Sequence, residues 1–260
     1  MHHFATDDGC QIAYRMDGPE DAPVLLLSNS LGTDMAMWDP QLPTFTQQFR
    51  VVRYDSRGHG CSDSPAGGYS MDLLGRDALQ LLDHLGIERA HFCGLSKGGM
   101  VGQWLGVRAP ERIERLILAN TSAYMGPPAN WQSRIEGVLR DGMEPLAIAS
   151  VQRWFTEGFP EREPQSAEPI KQMLLACNPV GYAGCCAAIR DMDMRPTAGL
   201  IVAPTLVIAG SQDPSTSVAE GQWLVDQMQN GTLAVLDAAH LSNVEVPADF
   251  SANVMAFISR

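Results

Sequence analysis

Lysine is almost missing from this sequence. Of the 18 Lys and Arg residues in a chain of 260, only Lys97 and Lys171 are lysines. Basic residues as a whole are outnumbered by 30 Asp and Glu, and the formal net charge is −12. Neutralising a run of phosphates requires a basic face, so nucleic acid is excluded as a partner. The same field repels anions at long range, so an anionic substrate needs a local cation to hold it. No stretch reaches the roughly 18 consecutive apolar residues of a membrane span. The opening "MHHFATDDGCQIAYR" lacks the apolar region of a signal peptide, so no membrane partner is expected. The cysteines, Cys10, Cys61, Cys93, Cys177, Cys185 and Cys186, are scattered, and their spacing fits neither a zinc site nor a disulfide framework. These absences lead to the expectation of a reduced, cytoplasmic protein in which the adjacent Cys185 and Cys186 are small packing residues.

Hydrophobic residues make up 45% of the chain and charged residues 18%, a composition for one large domain or a core carrying a small insertion. Short β-rich runs alternate with helical periodicities. "VLLLS" (Val24 to Ser28), "RVVRYD" (Arg50 to Asp55), "AHFCGL" (Ala90 to Leu95), "RLILAN" (Arg115 to Asn120), "PTLVIAG" (Pro204 to Gly210) and "TLAVLD" (Thr232 to Asp237) read as strands. Several are nearly continuous apolar runs, as strands buried on both faces should be. Helical patterns cover Met71 to Leu85, Gly98 to Ala109, Ser217 to Met228 and Pro247 to Ile258. This alternation predicts an α/β fold with a mostly parallel central sheet flanked by helices. Phe4 to Met16 reads as an antiparallel hairpin at one edge. From Thr121 to Leu200 there are helical patterns and no convincing strand, punctuated by "GPPAN", "GFPEREP" and "NPVG". The expected organisation is therefore a core in two parts, 1–120 and 201–260, with a helical cap over 121–200 inserted between core strands.

The chemistry starts at "GLSKGG", Gly94 to Gly99. A serine on a tight strand-to-helix turn takes strained backbone angles, and neighbours without Cβ let the chain fold back on itself. Ser96 is thus a candidate nucleophile. It needs a base, and the base needs an orienting acid. His2 and His3 lie at the start of the chain, His84 in an amphipathic helix and His91 near a strand start. His240 lies in "LDAAHLSN" just after the last strand, among the loops at the carboxyl edge of the sheet, and is the candidate base. Asp213 in "GSQDPST" follows the preceding strand and is the candidate acid; the alternative position, at the end of the strand carrying "LILANT", offers Asn120, which carries no charge. The backbone amide of Lys97, at the helix start, is one candidate oxyanion donor, and the loop after "VLLLS" should supply the second.

The order Ser96, Asp213, His240 is that of α/β-hydrolases, and the chain resembles that fold family from end to end. More narrowly it resembles the 3-oxoadipate enol-lactonases of aromatic-compound breakdown, through "SNSLGTDMAMWDPQL", "YDSRGHGCSD", "GLSKGGMVGQWLGVRAPERIERLILANTSAYMGPP", "CNPVGYAGCCAAIRDMDMR", "APTLVIAGSQDPST" and "LDAAHLSNVE". Aligned on Trp38, the resemblance makes Leu31 the second oxyanion donor, with Asn29-Ser30 standing where many relatives have His-Gly. "YDSRGHGCSD" is implied to be structural, with Asp55, Arg57 and Gly60 shaping a loop and His59 outside the catalytic set. The implied reaction is hydrolysis of a five-membered enol-lactone bearing an acetate side chain to 3-oxoadipate, through an acyl-enzyme and without metal or organic cofactor. A carboxylesterase for another small ester, or a ligand receptor on the same fold with slow turnover, would use the same residues. Candidates for holding the anionic lactone are the guanidiniums of Arg134, Arg153 and Arg190, with Trp131 and Trp154 as pocket walls. Relatives commonly have methionine at position 97; the Lys97 ammonium is a further candidate for the substrate carboxylate.

Overall fold

The computed structural model describes residues 1–259. Its centre is one eight-stranded sheet in the order β1-β2-β4-β3-β5-β6-β7-β8. The strands are β1 (His2–Ala5), β2 (Gln11–Asp17), β3 (Val24–Ser28), β4 (Arg50–Tyr54), β5 (Ala90–Leu95), β6 (Ile113–Ala119), β7 (Thr205–Gly210) and β8 (Gly231–Leu236). β1 and β2 form the expected edge hairpin, β2 also runs antiparallel to β4, and every other pairing is parallel. β5 and β7 are buried along their whole length, in keeping with their largely apolar sequences, whereas the edge strand β8 is half exposed.

The helices are α1 (Leu42–Phe45), α2 (Met71–His84), α3 (Lys97–Arg108), α4 (Pro128–Asp141), α5 (Glu144–Trp154), α6 (Phe159–Arg162), α7 (Pro164–Ala176), α8 (Pro179–Arg190), α9 (Val218–Gln227), α10 (Ser242–Glu245) and α11 (Pro247–Ile258). Their starts are chemically marked. The Ser70 hydroxyl accepts the Leu73 N–H ahead of α2, and Ser217 with Glu220 forms a reciprocal capping box at α9. Each such cap contributes about 1 kcal/mol. Between β6 and β7 the chain forms α4 to α8, with no strand there among the described residues. α4 packs chiefly on α8, a helix that is almost wholly buried despite its mixed sequence.

The topology fixes where a site can be. β3 lies between β4 and β5, so the chain leaves β3 towards one side of the sheet and later returns on the other. Loops diverge at such a switch point and leave a crevice outside the carboxyl ends of the strands. β3 and β5 pair with Ser28 opposite Gly94, which brings the loop carrying Leu31 beside the turn carrying Ser96.

Candidate active site

Ser96 joins β5 to α3 with φ 57° and ψ −113°, the left-handed side of backbone space for a residue with a Cβ. The turn is possible because its flanks are bare. A Cβ on Gly94 would lie 2.1 Å from the Gly98 carbonyl oxygen, and one on Gly98 would lie 2.1 Å from that of Ser28. The end of β6 clamps the turn: the Ser96 N–H donates to Ala119 O at 2.9 Å, and the Thr121 hydroxyl donates to Ser96 O at 2.8 Å. Cross-strand bonding thus maintains a conformation that costs on the order of 1–3 kcal/mol locally.

The three residues singled out from the sequence are in contact. His240 Nε2 lies 3.0 Å from Ser96 Oγ, and His240 Nδ1 lies 2.8 Å from Asp213 Oδ2. All three are buried. Asp213 collects four further donors. Its Oδ1 accepts the Ser215 and Thr216 N–H groups at 2.8 and 3.1 Å, and its Oδ2 accepts the Thr216 hydroxyl at 2.7 Å and Asn120 Nδ2 at 3.1 Å. Burial pushes the carboxyl up, but His240 and these hydrogen bonds outweigh it and hold Asp213 at about 2. Asn120 itself sits at φ 44°, donates also to Ala239 O at 3.0 Å, and accepts the Ser242 hydroxyl at 2.6 Å. It therefore ties the acid to the loop that carries His240. The sequence does not mark Thr216 for this role, and at position 120 it shows only an uncharged amide where an acid could have stood.

Two backbone donors, one following Ser96 in the chain and one on a residue that lines the same cavity, lack acceptors among the described residues. Lys97 is the first residue of α3, where no intrahelical acceptor exists, and neither its N–H nor that of Leu31 has an acceptor among the described residues. Asn29 anchors this loop: its amide donates to Tyr54 O and accepts the Trp38 indole N–H, both at 2.9 Å.

A cavity of about 250 Å³ opens over Ser96 and His240. Trp131, Arg134, Arg153, Trp154, Leu31 and Ile189 are among its walls. The Trp154 ring centroid is 6.2 Å from that of His240, and Trp131 donates its indole N–H to Met125 O. Arg134 stacks over Trp131 with its guanidinium carbon 4.8 Å from the ring centroid. Neither Arg134 nor Arg153 forms an ion pair among the described residues. Burial lowers the pKa of Arg153, and the like charge of Arg134 lowers it further.

Two expectations about cations require correction. Arg190 does not reach the cavity: at the end of α8 it makes a two-pronged bond with Asp191, 2.7 Å on each arm, and donates to Gln132 at 2.6 Å. The Lys97 side chain also does not line it. It is 0% exposed, and its Nζ has no hydrogen-bond partner among the described residues. The turn that presents Ser96 outwards sends the next side chain into the interior. Burial pushes the amine's pKa down, opposed by the surroundings of Cys185, Cys177, Asp55 and Asp77.

A buried unpaired amine is a liability, so Lys97→Met is expected to raise stability by about 1–3 kcal/mol while leaving the position-97 amide in place. The folded-state pKa is depressed, so the unfolded chain binds the proton more readily, and the penalty operates below the ordinary lysine value of about 10.4. The gain should therefore be larger at pH 7 than near pH 10 and should vanish above the ordinary lysine value, as thermal unfolding at the two pH values would reveal.

The family described as the α/β-hydrolase fold matches residues 23–247. The chain is 46% identical to 3-oxoadipate enol-lactonase 2 of Acinetobacter baylyi, over 100% of this chain and 98% of that protein. Two solved structures superpose over its full length: a hydrolase from Pseudomonas aeruginosa PA01 at TM-score 0.97 and 48% identity, 98% of that chain covered, and the enol-lactonase from Burkholderia xenovorans LB400 at TM-score 0.98 and 41% identity, 100% covered. The chain belongs to the α/β-hydrolase fold family.

Proposed function

We propose that this chain is a serine hydrolase that opens 3-oxoadipate enol-lactone to 3-oxoadipate through an acyl-enzyme on Ser96. The observation that carries the reading is the pair of guanidiniums, Arg134 and Arg153, facing the cavity over Ser96 without acidic partners among the described residues. In a chain of net charge −12, two like cations kept together and half desolvated are accounted for by an anion that sits between them. The resemblance to proteins named as enol-lactonases supports the same substrate.

His240 Nε2 takes the Ser96 proton as Oγ attacks the lactone carbonyl, while Asp213 holds the imidazole with its proton on Nδ1 and stabilises the imidazolium that forms. The Leu31 and Lys97 amides receive the developing oxyanion, each worth roughly 3 kcal/mol. The ring C–O bond breaks, the enol oxygen takes the proton from His240, and tautomerisation to the ketone makes the opening hard to reverse. Water activated by His240 then cleaves the acyl-enzyme. The helices over 121–200 act as the cap whose α4 and α5 supply the carboxylate-binding wall. The proposed setting is cytoplasmic, in keeping with six free thiols.

The test is a comparison of two substrates. Replacing Arg134 or Arg153 by alanine removes a charge-assisted contact worth about 1.5–3 kcal/mol, so KM for the lactone should rise by about 10- to 100-fold. Hydrolysis of neutral p-nitrophenyl acetate should change little. An equal loss on both esters, or no loss on the lactone, would contradict the assignment.

A further inference from the structure

We propose that His59 is a positioning residue for the oxyanion hole: by accepting the Gly32 N–H it locks the turn that aims the Leu31 amide. This rests on the reading of Leu31 as an oxyanion donor. Ser30 to Thr33 form a tight turn closed by the Thr33 N–H on Ser30 O at 3.4 Å and braced by the Thr33 hydroxyl on the same oxygen at 3.0 Å. Gly32 occupies its third position at φ 81°, as a type II turn requires. The peptide joining the second and third residues is the one whose rotation converts type II into type I, and its N–H belongs to Gly32. That N–H donates to His59 Nε2 at 2.8 Å. Rotating this peptide changes ψ of Leu31, the residue whose own N–H faces the reaction.

His59 is suited to the task. It is 1% exposed, so water does not compete for the bond. Because Nε2 accepts, the ring proton lies on Nδ1, which is 3.4 Å from Arg57 O and 3.9 Å from Cys185 Sγ on α8. Burial, reinforced by Lys97, keeps the imidazole well below its ordinary pKa and therefore neutral. The loop on which it stands is itself anchored by hydrogen bonds. Asp55, from the same loop after β4, accepts the Met35 N–H at 2.7 Å and the Cys61 N–H at 2.9 Å. The oxyanion loop is thus held at two points, Gly32 and Met35, by one neighbouring loop, which in turn contacts α8.

The experiment compares His59→Leu, His59→Asn and His59→Gln. A glutamine amide oxygen reaches the position of Nε2 and can accept the Gly32 N–H; leucine cannot accept it, and asparagine is one methylene too short. With p-nitrophenyl acetate, leucine and asparagine should lower kcat about 100-fold with KM within about two-fold, and glutamine should recover most of the loss. Affinity for phenylboronic acid, which forms a tetrahedral anion on the serine oxygen, should fall in parallel. Should the leucine variant not fold, asparagine against glutamine carries the same comparison. Unchanged kcat and boronate affinity in the folded leucine or asparagine variant, or losses in glutamine equal to theirs, would overturn the assignment. If turnover by the parent protein did not depend on Ser96 at all, the acyl-enzyme reading beneath it would fail instead.

Discussion

Replacing Ser96 by alanine is expected to lower kcat by about 10⁶-fold while leaving lactone binding and stability almost unchanged. The hydroxyl is the nucleophile in the proposed reaction, and His240 Nε2 is directed at it. Alanine keeps the Cβ and pays the same strain at φ 57°, and the Ser96 backbone bonds to Ala119 and Thr121 do not involve the hydroxyl. The open Leu31 and Lys97 amides and the arginine wall persist, so residual activity above the water rate should come from them. Trp131 and Trp154 line the cavity, so their fluorescence can follow lactone binding to the inactive variant. A Kd close to the wild-type KM, with turnover all but abolished, is the expected pair of results.

Asp213→Asn should cost about 10⁴-fold in kcat, and it should also destabilise the fold. Both effects follow from donor counting. Oδ2 faces His240, the Thr216 hydroxyl and Asn120 Nδ2, and Oδ1 faces two backbone N–H groups. An asparagine amide must turn its NH₂ towards one of these sets. Against the backbone pair it meets donors that cannot rotate away, an unsatisfied arrangement worth about 1–3 kcal/mol. Against His240 it favours the tautomer with the proton on Nε2, which cannot receive the Ser96 proton. Wild-type Asp213, held at about 2, is ionised throughout the neutral range. Its depressed pKa contributes stability that is complete above the ordinary carboxylate value and is lost as pH falls towards 2. Acid unfolding of Asp213→Asn should therefore be less steep than that of the parent between about pH 4 and pH 2.

The core was legible because its signals are local. A nearly continuous apolar run such as "AHFCGL", broken only by His91, is expected to be buried on both faces, and it forms β5 with the expected ends. The alignment of Ser96, Asp213 and His240 at one edge follows from strand order, since each residue comes soon after a parallel strand. The interior of the site was less legible because side-chain direction and helix packing are not local. Position 97 looked adjacent to the chemistry in sequence, yet a sharp turn gives consecutive side chains opposite surroundings, and Lys97 went inwards. Arg134, Arg153 and Arg190 all lie on helices of the inserted segment. How α4, α5 and α8 pack decides which of them face the cavity, and a neighbouring Asp191 occupies Arg190. Thr216 and Asn120 carried weak signals, a hydroxyl three residues after the acid and an amide at the end of β6. His59 was set aside with its loop as structural, and its bond to Gly32 depends on two loops meeting that the sequence keeps 27 residues apart.

The covalent step is the centre of the account, and it has a distinctive mass signature. In a cyclic ester the leaving enol stays attached to the acyl group, so no fragment departs when Ser96 is acylated. Rapid quenching of the protein with 3-oxoadipate enol-lactone in acid, followed by intact-mass and peptide mass measurement, should give an increase equal to the whole lactone. That increase should lie on the peptide containing Ser96 and vanish in Ser96→Ala. Steady turnover of the lactone with no such adduct at any quench time, or an equal adduct in Ser96→Ala, would contradict the account.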